Sequence, residues 1–189
     1  MAETFKFTDE RFADIQMLRY RLDGFEDLTL KQKLYIYYLA KATLCGRDIV
    51  TDQFGHHNLL IRKTLEAVYE NFMGDRTSHD FQSMTVYLKR VWFSNGIHHH
   101  YGCEKFVPDF SEPFFIEAVR QVGADKLPLA EGQTVDSLLD ELCPVIFNPS
   151  VQAKRVNQKD GDDLVKTSAC NYYENLSQKE VEDFYASMR

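Results

Sequence analysis

The sequence predicts an α+β fold, mostly α-helical with a small β element, and three observations carry that prediction. Apolar residues recur at helical spacing in six segments. Most of those segments open on a Ser or Thr cap and several close on glycine. Only residues 145–172 break the helical pattern, with two short β-prone runs around a turn sequence.

Thr29 with Gln32 forms a capping box; Leu34, Tyr38, Ala42 and Cys45 then line one face before Gly46 stops the helix. Ile61, Leu65, Val68 and Phe72 make a second stripe ending at Gly74, with Arg62 and Glu66 paired on the opposite side. Ser78 caps a third helix whose stripe is Phe81, Met84, Leu88 and Val91. Ser111, followed by Glu112 and Pro113, opens a fourth that closes at Gly123. Val135, Leu138, Leu139 and Leu142 mark a fifth, stopped by Pro144. Ser177 and Glu180 form another capping box before Val181, Phe184, Tyr185 and Met188. That helix runs into Arg189 without a stop signal, so the natural chain is expected to continue. A shorter helix is expected near residues 9–20. Val151 to Val156 and Leu164 to Ser168 flank Lys159-Asp160-Gly161-Asp162, which reads as a hairpin turn.

With 189 residues, the chain suits one domain or one large piece of a bigger one, and it is long enough to bury a core. No Pro/Gly/Ser linker and no internal repeat divides it, so residues 1–189 are read as one piece. The hydrophobic share is 44% and the aromatic share 13%, far from a disordered composition. A net charge of -7 argues against a nucleic-acid partner, which needs a basic stripe to displace counterions. Cys45, Cys103, Cys143 and Cys170 show no CxxC spacing and read as reduced thiols in partly buried sites. No apolar run has membrane-spanning length and no signal-peptide pattern opens the chain. As given, the chain is expected in the cytoplasm; a signal or lipid anchor removed earlier would leave no trace in this sequence.

No catalytic constellation is complete. The sequence has no HExxH, GxSxG, P-loop or GxGxxG. Ser94 lies near histidines without an evident orienting acid. Asp162-Asp163 reads as turn solvation, and Glu66 with Glu70 lacks the apolar surroundings that would raise a carboxyl pKa. Gly46-Arg47-Asp48 ends a helix and offers a charged pair. The conspicuous stretch is Trp92 to Gly102, read as a loop or bent strand with three consecutive histidines. In an extended chain only His98 and His100 share a face, too few ligands for a tight zinc site. Two other readings stand beside metal binding: imidazoles bonded at a surface, or a glycine-bearing loop whose backbone and rings line a peptide cleft.

The run from Tyr87 to Gly102 followed by Lys105-Phe106-Val107-Pro108 resembles the bacterial branch of dipeptidyl peptidase III. Phe12-Ala13-Asp14-Ile15, Leu18-Arg19-Tyr20, Leu30 to Lys33, Gly46 to Ile49, Asp52-Gln53, Arg62 to Tyr69 and Ser168 to Glu174 resemble it too, so the likeness spans nearly the whole chain. The resemblance implies a zinc peptidase of two lobes that releases dipeptides from the N-terminus of short peptides. Its metal is held by an HExxGH helix and a downstream glutamate, none of which is in this sequence. It implies that this piece belongs mainly to the lower, non-zinc lobe, binds peptide, has as partner the missing catalytic lobe of the same polypeptide, and is inactive alone. By position it points to His100, Tyr101 and Gly102 as substrate-binding residues, with no catalytic residue and no metal ligand here. Other branches of the family have Ser where this chain has His100, which leaves the backbone of Tyr101 and Gly102 as the more transferable contact. The competing expectation is a free-standing peptide-binding or interaction protein that keeps the lobe without catalysis. A weaker one is an independent histidine-dependent hydrolase.

Overall fold

The computed structural model describes residues 5–189, and the chain divides into two compact units, Met1–Arg47 and Asp48–Arg189. The division falls where the sequence offers no linker: α1 (Leu30–Cys45) is followed at once by α2 (Arg47–Phe54). Gly46 is right-handed, at φ -85, and therefore does not supply the left-handed cap that ends many helices. The sequence reading missed α2 by treating Gly46-Arg47-Asp48 as a stop.

In the first unit, β1 (Thr8–Phe12) pairs antiparallel with β2 (Ile15–Leu18), in a register that sets Phe12 opposite Ile15 and Thr8 opposite Leu18. This corrects the helix expected near residues 9–20. Ala13 is left-handed, at φ 48, which turns the chain. The Gln16 carboxamide donates to the carbonyls of Asp9 and Met17, bonds that compete with a helical path. The Thr29–Gln32 capping box forms, with the Thr29 N–H on Gln32 Oε1 at 2.9 Å, but α1 buries none of its side chains. The face lined by Leu34, Tyr38, Ala42 and Cys45 is therefore not buried.

The second unit holds the core. In α3 (Asn58–Asn71), Ile61, Leu65 and Val68 are fully buried, and in α4 (His79–Ser94) so are Met84, Leu88 and Val91. α3 packs against α4 and α5 (Glu112–Val122), and α5 against α6 (Val135–Phe147). Ser78, Ser111 and Thr134 cap their helices as their side-chain chemistry dictates. Rings join the layers: Phe72 stacks on Phe81 at 5.1 Å, and Phe110 meets Phe147 edge-on at 5.5 Å.

α6 does not stop at Pro144 but continues for three residues, and the Asn148 N–H reaches the Pro144 carbonyl at 3.2 Å. A proline in a helix costs about 3 kcal/mol. Burying two large aliphatic side chains gains about 1.5–3 kcal/mol each. Val145 and Ile146 in that last turn are both buried, so packing wins.

The late β element is also corrected. Leu164–Thr167 is a helical turn, α7, because Asp163 caps it through the N–H groups of Val165 and Lys166. The turn at Lys159–Asp162 does form, with Gly161 at φ 87. Its upstream flank bridges Glu104 through Lys154, and the Lys154 and Arg155 carbonyls also accept the N–H groups of Ala169 and Cys170, just past the expected downstream run. The last helix, α8 (Gln178–Ser187), keeps its capping box but leaves Phe184, Tyr185 and Met188 exposed.

Candidate functional site

The Trp92–Gly102 stretch is two structures rather than one loop. Trp92, Phe93 and Ser94 complete α4, and Asn95 ends it in the left-handed conformation at φ 54. Gly96 follows at φ 151, where a Cβ would collide with the Asn58 carboxamide. Asn58, 1% exposed at the start of α3, accepts the Ile97 N–H on Oδ1 at 3.2 Å. That bond fixes how the chain leaves the helix.

From there the chain makes a tight hairpin. The His99 N–H reaches the Glu104 carbonyl at 2.7 Å, and the Phe106 N–H the Ile97 carbonyl at 2.8 Å. His98 and Lys105 are therefore a cross-strand pair with side chains on one face. A third strand-like segment completes the patch: the Lys105 N–H donates to the Ala153 carbonyl and the Arg155 N–H to that of Cys103. The Arg155 guanidinium, 4.4 Å from the Phe54 ring centre, donates to the His100 carbonyl at 3.2 Å.

The three histidines have three different roles. His98 is 1% exposed; its Nε2–H donates to the Gln152 carbonyl at 2.6 Å. Burial holds its pKa down at about 4, opposed by that bond and assisted by Lys105, Arg155 and Lys154. The Nδ1 of His99 accepts the N–H groups of both Tyr101 and Gly102, at 3.2 and 3.1 Å. His100 stacks on His99 at 4.4 Å and meets Phe93 edge-on at 4.9 Å. Tyr101, 85% exposed, and Gly102 form the tip. The structure thus brings His100, Tyr101 and Gly102 together on an exposed turn, backed by imidazole and phenyl rings. It also occupies the two tip N–H groups internally, so a peptide approaching this turn meets the Tyr101 ring before any amide donor.

Among the described residues, no group of three or more His, Cys, Asp or Glu side chains is arranged to hold a metal ion. Ser94 is buried at 3% exposure, and its hydroxyl has no hydrogen-bond partner among the described residues. Glu66 accepts the Trp92 indole N–H at 2.7 Å and pairs with Arg62 at 3.4 Å. Asp48 also pairs with Arg62, whose guanidinium holds its carboxyl below the usual range. Asp163 caps α7 and accepts the Gln178 N–H, a more specific role than turn solvation. All four cysteines are free, Cys45 exposed rather than partly buried and Cys143 buried with its pKa raised to about 11.

Sequence reasoning missed Asn58, Lys105, Gln152 and Arg155. The pair Gly55 and Gly96 was the available signal for Asn58, since a Cβ at either would press on its carboxamide. Gln152 lies 54 residues from His98 and gave no signal. Beside it opens a cleft of about 580 Å³ lined by His56, Lys166, Cys170, Asn171, Tyr173 and Glu174. No helix among the described residues is long and apolar enough to cross a membrane. No family model matches the chain, and no curated protein matches it.

Proposed function

We propose that this chain is the substrate-binding portion of a zinc-dependent dipeptidyl peptidase resembling dipeptidyl peptidase III, and that it belongs to the non-zinc lobe of that two-lobed enzyme. In this reading the tip residues His100, Tyr101 and Gly102 hold a short peptide, whose N-terminal dipeptide is released by groups outside this sequence. The exposed ring of Tyr101, seated on an aromatic and imidazole base, is the observation that carries the proposal. A phenol offers a flat apolar face with a polar end, suited to a peptide backbone and its side chains alike. The hairpin is braced by Asn58, Gln152 and Arg155, so its tip is presented on a fixed support. The residues at hand supply binding and positioning; no bond-breaking step is assigned to them.

A second reading is a free-standing peptide-binding or interaction protein using the same hairpin. The exposed Phe184 and Tyr185 on α8, with Met188 just past its end, favour it, since they offer a further apolar contact surface. A coding region that continues beyond Arg189 into an HExxGH helix would decide for the enzyme.

The test of the shared part is a titration of the isotope-labelled chain with short peptides, followed by amide NMR. Saturable shifts should concentrate at residues 97–106 and disappear in Tyr101→Ala while the remaining spectrum is unchanged. Millimolar peptide leaving the hairpin amides unmoved would overturn the proposal.

A further inference from the structure

The hairpin is fastened to the 148–155 loop by an imidazole that has nowhere to put a second proton. His98 donates through Nε2 to the Gln152 carbonyl, while its Nδ1 is buried with no hydrogen-bond partner among the described residues. Gln152 itself is left-handed at φ 51, a strained state for a side chain other than glycine, and needs such contacts to persist. Its carboxamide N–H donates to His57 Nδ1 at 2.9 Å. Lys105 adds two bonds to the same loop, to the carbonyls of Asn148 and Val151 at 2.7 and 2.8 Å.

The charges around His98 oppose its protonation. Lys105 faces it from the paired strand, and Lys154 and Arg155 from the next. The carboxylate of Glu104 lies 4.0 Å from Lys154 at the outer edge, and Asn58 from α3 is neutral. On the far side of Gln152, His57 sits 3.7 Å from Glu141 of α6 and beside His56. A proton on His57 can be accommodated, because rotating the Gln152 amide would present its oxygen, which is buried without a partner. A proton on His98 cannot: it would create a buried N–H with no acceptor, among three cations.

We infer that His98 is a pH-sensitive latch, holding the 97–106 hairpin against the 148–155 loop at neutral pH and releasing it on acidification. The released hairpin takes up a proton below the ordinary imidazole pKa of 6.5, and the closed one refuses it down to about 4. Through His98, acid therefore favours opening across that window, while Lys105, whose pKa burial lowers to about 8, adds a dependence above it. At about pH 5 the opening constant should be about thirtyfold its value at about pH 7.5. The latch is independent of what the tip binds.

Amide hydrogen exchange on the 189-residue chain, corrected for the intrinsic rate at each pH, tests this. Protection of the Lys105 and Arg155 amides, which donate across the latch, should fall by about thirtyfold on acidification, whereas Leu65 and Leu88 should hold theirs. His98→Gln retains an N–H donor and cannot charge, so its protection should be flat with pH. The same loss in His98→Gln, or no loss in the parent chain, would overturn the latch. Should that variant not fold, imidazole NMR of the parent decides: titration of His98 near 6.5 with its bond to Gln152 intact rejects the inference, and titration near 4 with Nδ1 unprotonated at neutral pH supports it.

Discussion

Helices α1 and α4 have the same length, sixteen residues, and each opens on a hydroxyl cap, yet α4 buries six side chains and α1 none. The difference lies in arrangement rather than in apolar content. In α4, Phe81, Met84, Leu88 and Val91 follow the helical repeat and form one stripe that α3 covers. In α1, Leu34, Tyr35, Ile36, Tyr37, Tyr38 and Leu39 are consecutive, so at 3.6 residues per turn they surround the helix and leave no single inward face. A cap dictates where a helix starts; only a stripe dictates what it packs against.

The same substitution in both helices gives the comparison its sharpest form. Leu88→Ala removes a fully buried side chain from the contact with α3 and should cost about 3–5 kcal/mol in denaturant unfolding, through lost transfer energy and the cavity left behind. A cost under about 1 kcal/mol would mean that the α3–α4 seam collapses around the gap, and the contrast with α1 would fail.

That contrast also separates what was legible in the sequence from what was not. Periodic stripes closed by glycine or opened by a cap, as at Ile61–Gly74 and Ser111–Gly123, appear in the structure as α3 and α5 because each signal is local. The errors arose where a distant partner outweighs a local preference. Val145 and Ile146 carry α6 past Pro144 into the core. One local signal was missed too: Asp163 caps Leu164–Thr167 and turns it away from the hairpin its neighbours suggested. Lys154 finds Glu104, fifty residues upstream, as its partner. At the candidate site, glycines and rings marked Trp92 to Gly102 as a loop, and only the family resemblance singled out His100, Tyr101 and Gly102 within it. The buried role of His98 could not, since it depends on the Gln152 carbonyl and on the Asn58 carboxamide that seats Ile97.

Asn58→Ala probes that seat. The substitution leaves the buried Ile97 N–H without its acceptor, a loss of about 1–3 kcal/mol. The effect should concentrate in the hairpin, with amides of residues 97–106 losing protection before those of α3 and α4. Uniform loss across the whole second unit would show instead that hairpin and helices unfold together.

The smallest expected effect is the most informative about α1. Leu34 is 46% exposed, so Leu34→Ala removes little buried surface and should change stability by no more than about 0.5 kcal/mol, a small fraction of the Leu88→Ala effect. Local helix content should be unchanged as well, because alanine is at least as good a helix former as leucine and the Thr29–Gln32 box stays in place. A loss of about 2 kcal/mol or more would require α1 to be covered in solution, since only a buried leucine carries that weight. The contrast drawn from α4 would then be one of partner rather than of pattern.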